Sequence, residues 1–253
     1  MTLPALNRYG RLCAELYDLN LPVGSTADID FYLDRLKDVA GPVLEAACGT
    51  GRLTLPLLAA NIDVRGFDHS PDMLAIARAN AAARGLSPVL IQARFQDFAY
   101  DTAFAAIIVP QSSFVHVDDF DEAMAVLERF RRHLRPGGLL LIDMASVTFF
   151  QAVWPTRTRL AANGDLLLQE GKMVESDPVA QRYVAHDRYE RWRDGRLGET
   201  ELERTAYRVW GWRELTLALA ATGFTDIEVT TDFLSRAEPS LQSKMFNFAA
   251  RAP

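Results

Sequence analysis

Apolar residues recur along this chain with two periods, and the periods take turns. Leu6, Tyr9, Leu12, Cys13, Leu16, Tyr17 and Leu19 fall three or four apart, which predicts a helix over residues 5–20. Leu21-Pro22-Val23-Gly24-Ser25 interrupts it, and Ile29, Tyr32, Leu33 and Leu36 predict a second helix over about 27–39. Short apolar runs then alternate with helical stretches. Strands are expected at 42–46, 62–68, 89–92, 105–110 and 139–144, with helices at 52–60, 70–85 and 119–134 between them. The run Ala105-Ala106-Ile107-Ile108-Val109 has no polar side, so it suits a parallel sheet covered on both faces. Ser70-Pro71-Asp72 reads as an N-cap, a first-turn proline and an acid against the helix dipole, and Gly85 as that helix's stop.

The pattern changes after residue 149. Residues 150–208 are rich in Arg, Glu and Thr and alternate with period two. Tyr183 to Trp192 runs into Asp194-Gly195 and returns through Thr200 to Tyr207, a hairpin signature. A last helix follows Trp210 and stops at Gly223, and strands are expected at 224–229 and 245–249. The division expected is a helical cap over 1–40, a core over 41–149, an antiparallel insertion over 150–208 and a closing segment over 209–253.

Composition narrows the function classes. The 253 residues are enough for one large α/β domain, and at 49% hydrophobic and 24% charged their composition is ordinary for a soluble globular protein. The net charge of -6 argues against a general nucleic-acid surface. Cys13 and Cys48 form no CxxC pair, so a reducing compartment and no structural metal are expected. No apolar run has membrane-span length and the N-terminus lacks a signal core, so a cytoplasmic protein is expected.

The chemistry gathers at Glu45-Ala46-Ala47-Cys48-Gly49-Thr50-Gly51-Arg52. This is a strand end, a glycine turn and a helix start, where unpaired N–H groups face a ligand. The dinucleotide fingerprint fails, because its third glycine falls at Thr54 or Arg52, and a P-loop fails for want of Gly-Lys-Ser/Thr. About twenty residues on, Asp68 ends the second strand, where a carboxylate suits the ribose hydroxyls of an adenosine-bearing cofactor.

Together E-x-x-C-G-T-G-R, D-x-S-P-x-M-L, the strand leading into Pro110-Gln111-Ser112-Ser113-Phe114 and the helix–PGG–strand unit resemble class I S-adenosylmethionine (SAM)-dependent methyltransferases of the bacterial small-molecule type. The resemblance covers the whole chain and is most specific over 40–145. It implies a Rossmann-like doubly wound seven-stranded α/β sheet of order 3-2-1-4-5-7-6, with a small antiparallel β insertion. It implies SAM as cofactor and S-adenosylhomocysteine as product. Tyr9, Tyr17 and Tyr32 become candidates for the cofactor's carboxylate and Glu45 for its ammonium. Ala47, Gly49 and Gly51 form the turn, Asp68 takes the ribose, and His69, Met73, Phe95, Gln96 and Val109 border the ligand. At 93–94 the family usually has Gly-Asp, whose acid meets the adenine amine. This chain has Ala93-Arg94.

In open α/β sheets ligands lie outside the strands' carboxyl ends, which places Val109, Pro110, Gln111, Ser112, Ser113 and His116 at the site, with Asp143 and Met144 near the substrate. Methyl transfer is an in-line displacement that depends on positioning and on exclusion of water. An amine need only arrive uncharged, whereas a hydroxyl needs a base. His116 is the candidate base and His186, from the insertion, the second. Trp154, Arg157, Arg188 and Tyr189 are further candidate contacts. The expected reaction is methylation of nitrogen or oxygen on a small-molecule acceptor, by a monomer or homodimer. An RNA or tRNA methyltransferase and a non-catalytic binding protein of the same fold are the alternatives.

Overall fold

A computed structural model describes residues 6–26, 28–148, 155–234 and 236–253. The parallel half of its main sheet is built from β1 (Val43–Ala46), β2 (Val64–Asp68), β3 (Val89–Gln92), β4 (Phe104–Val109) and β5 (Leu134–Ala145). Two later strands, β10 (Thr225–Thr231) and β11 (Met245–Arg251), complete it in the order β10-β11-β5-β4-β1-β2-β3. Read from the other edge this is the expected 3-2-1-4-5-7-6. β11 runs antiparallel to β5 and to β10, and the remaining pairs are parallel. Every residue of β1 and β4 is buried, as strands covered on both faces require.

Helices α3 (Thr54–Ala59), α4 (Pro71–Ala82) and α5 (Phe120–His133) return the chain between these strands. Ser70 Oγ accepts from Met73 N–H at 3.1 Å to cap α4, and Asp119 accepts from Glu122 N–H at 2.9 Å to cap α5. α5 buries Ala123, Val126, Leu127 and Phe130 against one sheet face, within a core that also holds Phe67, Phe98 and Trp210. The opposite face packs on Ile29, Tyr32 and Leu36 of α2 (Asp28–Leu36) and on Leu53 and Leu57.

The segment after β5 forms a second, four-stranded antiparallel sheet of β6 (Arg157–Leu160), β7 (Leu166–Asp177), β8 (Arg182–Arg193) and β9 (Arg196–Arg208). The β8–β9 turn is the one expected. Asp194 and Gly195 sit at φ 48° and 71°, the left-handed pair that a two-residue hairpin needs. Leu167 and Tyr189 of this sheet pack on Leu12, Cys13 and Leu16 of α1 (Arg11–Asn20).

Two boundaries differ from expectation. The first helix begins at Arg11, not at residue 5. Asn7 and Tyr9 have φ of 53° and 51°, and Asn7 N–H donates to Arg204 O at 2.7 Å, so residues 6–10 form a strap beside β9. The fifth strand starts at Leu134 rather than 139. Arg135-Pro136-Gly137-Gly138 is a bulge within it, and the pairing with β4 shifts register there.

Candidate active site

A cavity of about 460 Å³ opens at the carboxyl ends of β1, β2 and β4, within the range of small-molecule sites. Its floor is the glycine turn. Ala47, Gly49 and Gly51 have φ of 56°, 55° and 81°, and only the glycines adopt this without steric cost. The next side chain, Arg52, is buried. Its guanidinium donates to both oxygens of Asp28 at 2.8 and 2.7 Å and also reaches Thr26. That ion pair ties α2 to the turn.

Asp68 lines the cavity beyond the turn. Gly49 N–H donates to one of its oxygens and Ser70 N–H to the other, each at 2.9 Å. Burial raises its carboxyl pKa, against the backbone N–H groups that favour the charged form. A carboxylate has about four lone-pair sites, so acceptor capacity remains for two ribose hydroxyls. His69, Met73, Ala93, Arg94, Phe95 and Gln96 continue this wall.

Tyr9, Tyr17, Gln111, Ser113 and His116 also line the cavity, and the Tyr9 ring meets those of both His69 and His116 edge-on. Tyr9 Oη lies 2.7 Å from His116 Nε2, and Ala206 O lies 3.4 Å from Nδ1. A carbonyl can only accept, so Nδ1 carries the hydrogen and Nε2 accepts from the Tyr9 hydroxyl. Burial pushes the His116 pKa down to about 4, so the ring is neutral at pH 7. Asp118 lies at the rim and pairs with Arg182 of β8 at 2.6 Å.

The strap closes the site from above. Asn7 Nδ2 donates to His116 O at 3.2 Å, and its Oδ1 accepts from Ala206 N–H at 2.8 Å. His69 Nε2 meets Asn7 O, and Ser70 Oγ donates to Tyr9 O at 2.6 Å. Asn7, Tyr9, Ala47, Gln111 and Ser112 are all non-glycine residues with φ between 51° and 59°. Left-handed backbone at such residues is sparsely populated, and here it clusters round one cavity.

Nine of the residues expected at the cofactor line the cavity: Tyr9, Tyr17, Ala47, Gly49, Asp68, His69, Met73, Phe95 and Gln96. The candidate base His116 lines it too. Four expected cofactor residues do not: Tyr32, Glu45, Gly51 and Val109. Glu45 is 2% exposed beneath the turn, where Thr54 Oγ1 donates to it, and burial lifts its pKa to about 8. Gly51 packs on Leu55 and Ala77, and Val109 is wholly inside the sheet. His186 is likewise outside the cavity. It faces Lys172 and Arg204 across β8, while its neighbours Ala185 and Asp187 take the buried side.

Arg157 and Arg188 are exposed, and Tyr189 is buried beside Cys13 and Gln169. Trp154 lies outside the described residues. Tyr32 donates to Asp143 at 2.7 Å in a buried network with Asn247, and burial lifts the Asp143 pKa to about 7. Asp143 therefore braces the sheet end rather than the cavity wall. Sequence reasoning passed over Asn7, whose tolerance of left-handed backbone was the available signal. Among the described residues no cluster of three His, Cys, Asp or Glu could hold a metal, and no helix is long and apolar enough to cross a membrane.

Known proteins share this arrangement. Residues 43–138 match the family described as Methyltransferase domain. YqeM of Bacillus subtilis (strain 168), whose name proposes a methyltransferase activity for it, is 28% identical over 215 residues, 83% of this chain and 84% of its own. The dTDP-3-amino-3,6-dideoxy-alpha-D-glucopyranose N,N-dimethyltransferase of Streptomyces fradiae is 34% identical over 141 residues, 53% of this chain and 54% of its own. The SAM-bound structure of CalS10, an amino pentose methyltransferase from Micromonospora echinaspora, superposes with a TM-score of 0.70 at 17% identity, covering 99% of this chain and 100% of that one. A doubly wound sheet with an acid-ended second strand beside a glycine turn is the class I nucleotide-cofactor fold. Residues 43–138 form a methyltransferase domain, and the sheet around them has the class I methyltransferase fold.

Proposed function

We propose that this enzyme methylates the nitrogen of a small-molecule amine. The observation that carries the reading is the neutral His116 in the cavity wall, held by the Tyr9 hydroxyl. A histidine held near pKa 4 is too weak a base to activate a hydroxyl, whereas an uncharged amine brings its own lone pair. Two of the similar proteins support the same chemistry, since their names specify N,N-dimethylation of an amino sugar nucleotide and methylation of an amino pentose.

In this reading Asp68 holds the ribose, and the Ala47–Gly49 turn with Tyr17 holds the amino-acid part of SAM. Bound there, SAM supplies an electrophilic methyl group. His116 takes the Tyr9 O–H, which leaves the lone pairs of the phenol oxygen for an amine N–H and so orients the nitrogen lone pair for in-line attack. The strap of residues 6–10 keeps water out. The proton released on methylation leaves to solvent.

Turnover on a panel of amino sugars, other amines, phenols and alcohols, followed as S-adenosylhomocysteine release, tests this. Products on amines alone are expected. Transfer to hydroxyls but not amines would overturn it. His116→Ala should lower transfer at least about tenfold and leave SAM binding nearly unchanged. Unchanged turnover would remove His116 from the acceptor site.

A further inference from the structure

Adenine must be recognised beyond Asp68, where the wall is His69, Met73 and residues 93–96. Its exocyclic amine can only donate, and its ring nitrogens only accept. Arg94 offers donors and no acceptor, so it leaves the amine unmatched. His69 Nε2 is engaged by Asn7 O, and the Met73 thioether is a weak acceptor. Gln96 remains. Its Nε2 donates to Glu122 Oε2 at 3.1 Å. A carboxylate only accepts, so this contact fixes which end of the amide faces Glu122 and turns Oε1 the other way. Glu122 is itself set by its place in the first turn of α5, where its N–H donates to Asp119.

We propose that Gln96 Oε1 is the acceptor for the adenine amine, and that Glu122 is the positioning residue that keeps the amide turned that way. The pair supplies what Arg94 cannot. It also makes the site prefer adenine to a purine carrying an oxygen at the same position. The proposal concerns the cofactor half of the cavity and stands whether the methyl acceptor is an amine or not.

Isothermal titration with S-adenosylhomocysteine and with its inosine counterpart, in which a carbonyl replaces the amine, tests the proposal without turnover. The native protein should prefer the adenosyl ligand at least about tenfold, the effect of one matched against one opposed hydrogen bond. Gln96→Leu should weaken adenosyl binding about tenfold and leave inosyl binding unchanged, so that the preference collapses. Both side chains are exposed, so the fold should tolerate these changes. Glu122→Leu frees the amide to turn its NH2 towards a carbonyl, so inosyl binding should strengthen as adenosyl binding weakens. A merely structural role for either residue would move both ligands together. A Gln96→Leu preference equal to the native one overturns the assignment of Gln96, and a Glu122→Leu preference equal to the native one overturns that of Glu122.

Discussion

Replacing Glu45 by glutamine should change how stability depends on pH. Glu45 sits mid-sheet at 2% exposure, and burial lifts its carboxyl from 4.5 to about 8, against the opposing Thr54 hydroxyl and the Arg52 charge. Such an acid stays protonated in the folded chain while its unfolded counterpart ionises. The folded state then binds more protons between the two pKa values. The contribution of this group is therefore intact below about pH 4.5 and is lost as pH rises, levelling off once the native carboxyl ionises near 8. At 1.36 kcal/mol per pH unit the loss comes to about 5 kcal/mol, an upper limit because the folded chain can relax round the charge. Glutamine keeps an acceptor for Thr54 and does not titrate. Asp143, lifted to about 7, titrates in an overlapping range but is common to both proteins, so the difference isolates Glu45. The assay is urea unfolding followed by tryptophan fluorescence, repeated from about pH 5 to about pH 9. The two stabilities should nearly meet at the acid end, and the variant should lead by several kcal/mol at the alkaline end. Parallel curves would refute the reasoning, because they would mean that Glu45 is ionised in the folded chain.

Three further outcomes follow from contacts already described. Asp28→Asn leaves the Arg52 guanidinium buried beside a neutral partner and should cost about 3–5 kcal/mol in chemical denaturation, most of it regained in Asp28→Asn/Arg52→Met. A cost below about 1 kcal/mol would mean that water reaches the pair. Gly66→Ala places a Cβ 2.9 Å from both Cβ and Sγ of Cys48, and should lower stability by about 1–3 kcal/mol in a thermal melt. The rate profile of methyl transfer should show no ionisation of His116 between about pH 5 and about pH 8, because its pKa lies near 4. An inflection near 6.5 that disappears in His116→Gln would contradict the buried, neutral ring.

What could be read from the sequence was local. Ser70-Pro71 starts α4 because cap and first-turn proline act within one turn. Asp194-Gly195 turns because both residues accept left-handed backbone. Asp68 was legible as a cavity residue by position, since the end of the second strand in such a sheet opens outward at the carboxyl edge. What could not be read depended on distant partners. The helical period of Leu6, Tyr9 and Leu12 runs on through the strap, but Asn7 spends its polar groups on Arg204, Ala206 and His116 instead. His186 follows the alternation of β8, yet alternation gives two faces and does not say which one meets a cavity. Glu45 was expected to face the cofactor, because the strand-end position does not reveal that Thr54 draws the carboxylate under the turn. The Tyr9–His116 contact joins residues 107 apart and has no local signature.

The Asn7 clasp also fixes when in the life of the chain the cavity can exist. Asn7 bonds Ala206, 199 positions later. At a ribosomal pace of about 5–20 residues per second, the strap waits about 10–40 s for its partner strand. Over that interval the glycine turn, Asp68 and α4 have been synthesised, but the wall that joins His69 to His116 has not formed. A nascent chain thus has the cavity with one side open, and it closes only after β9 has left the ribosome.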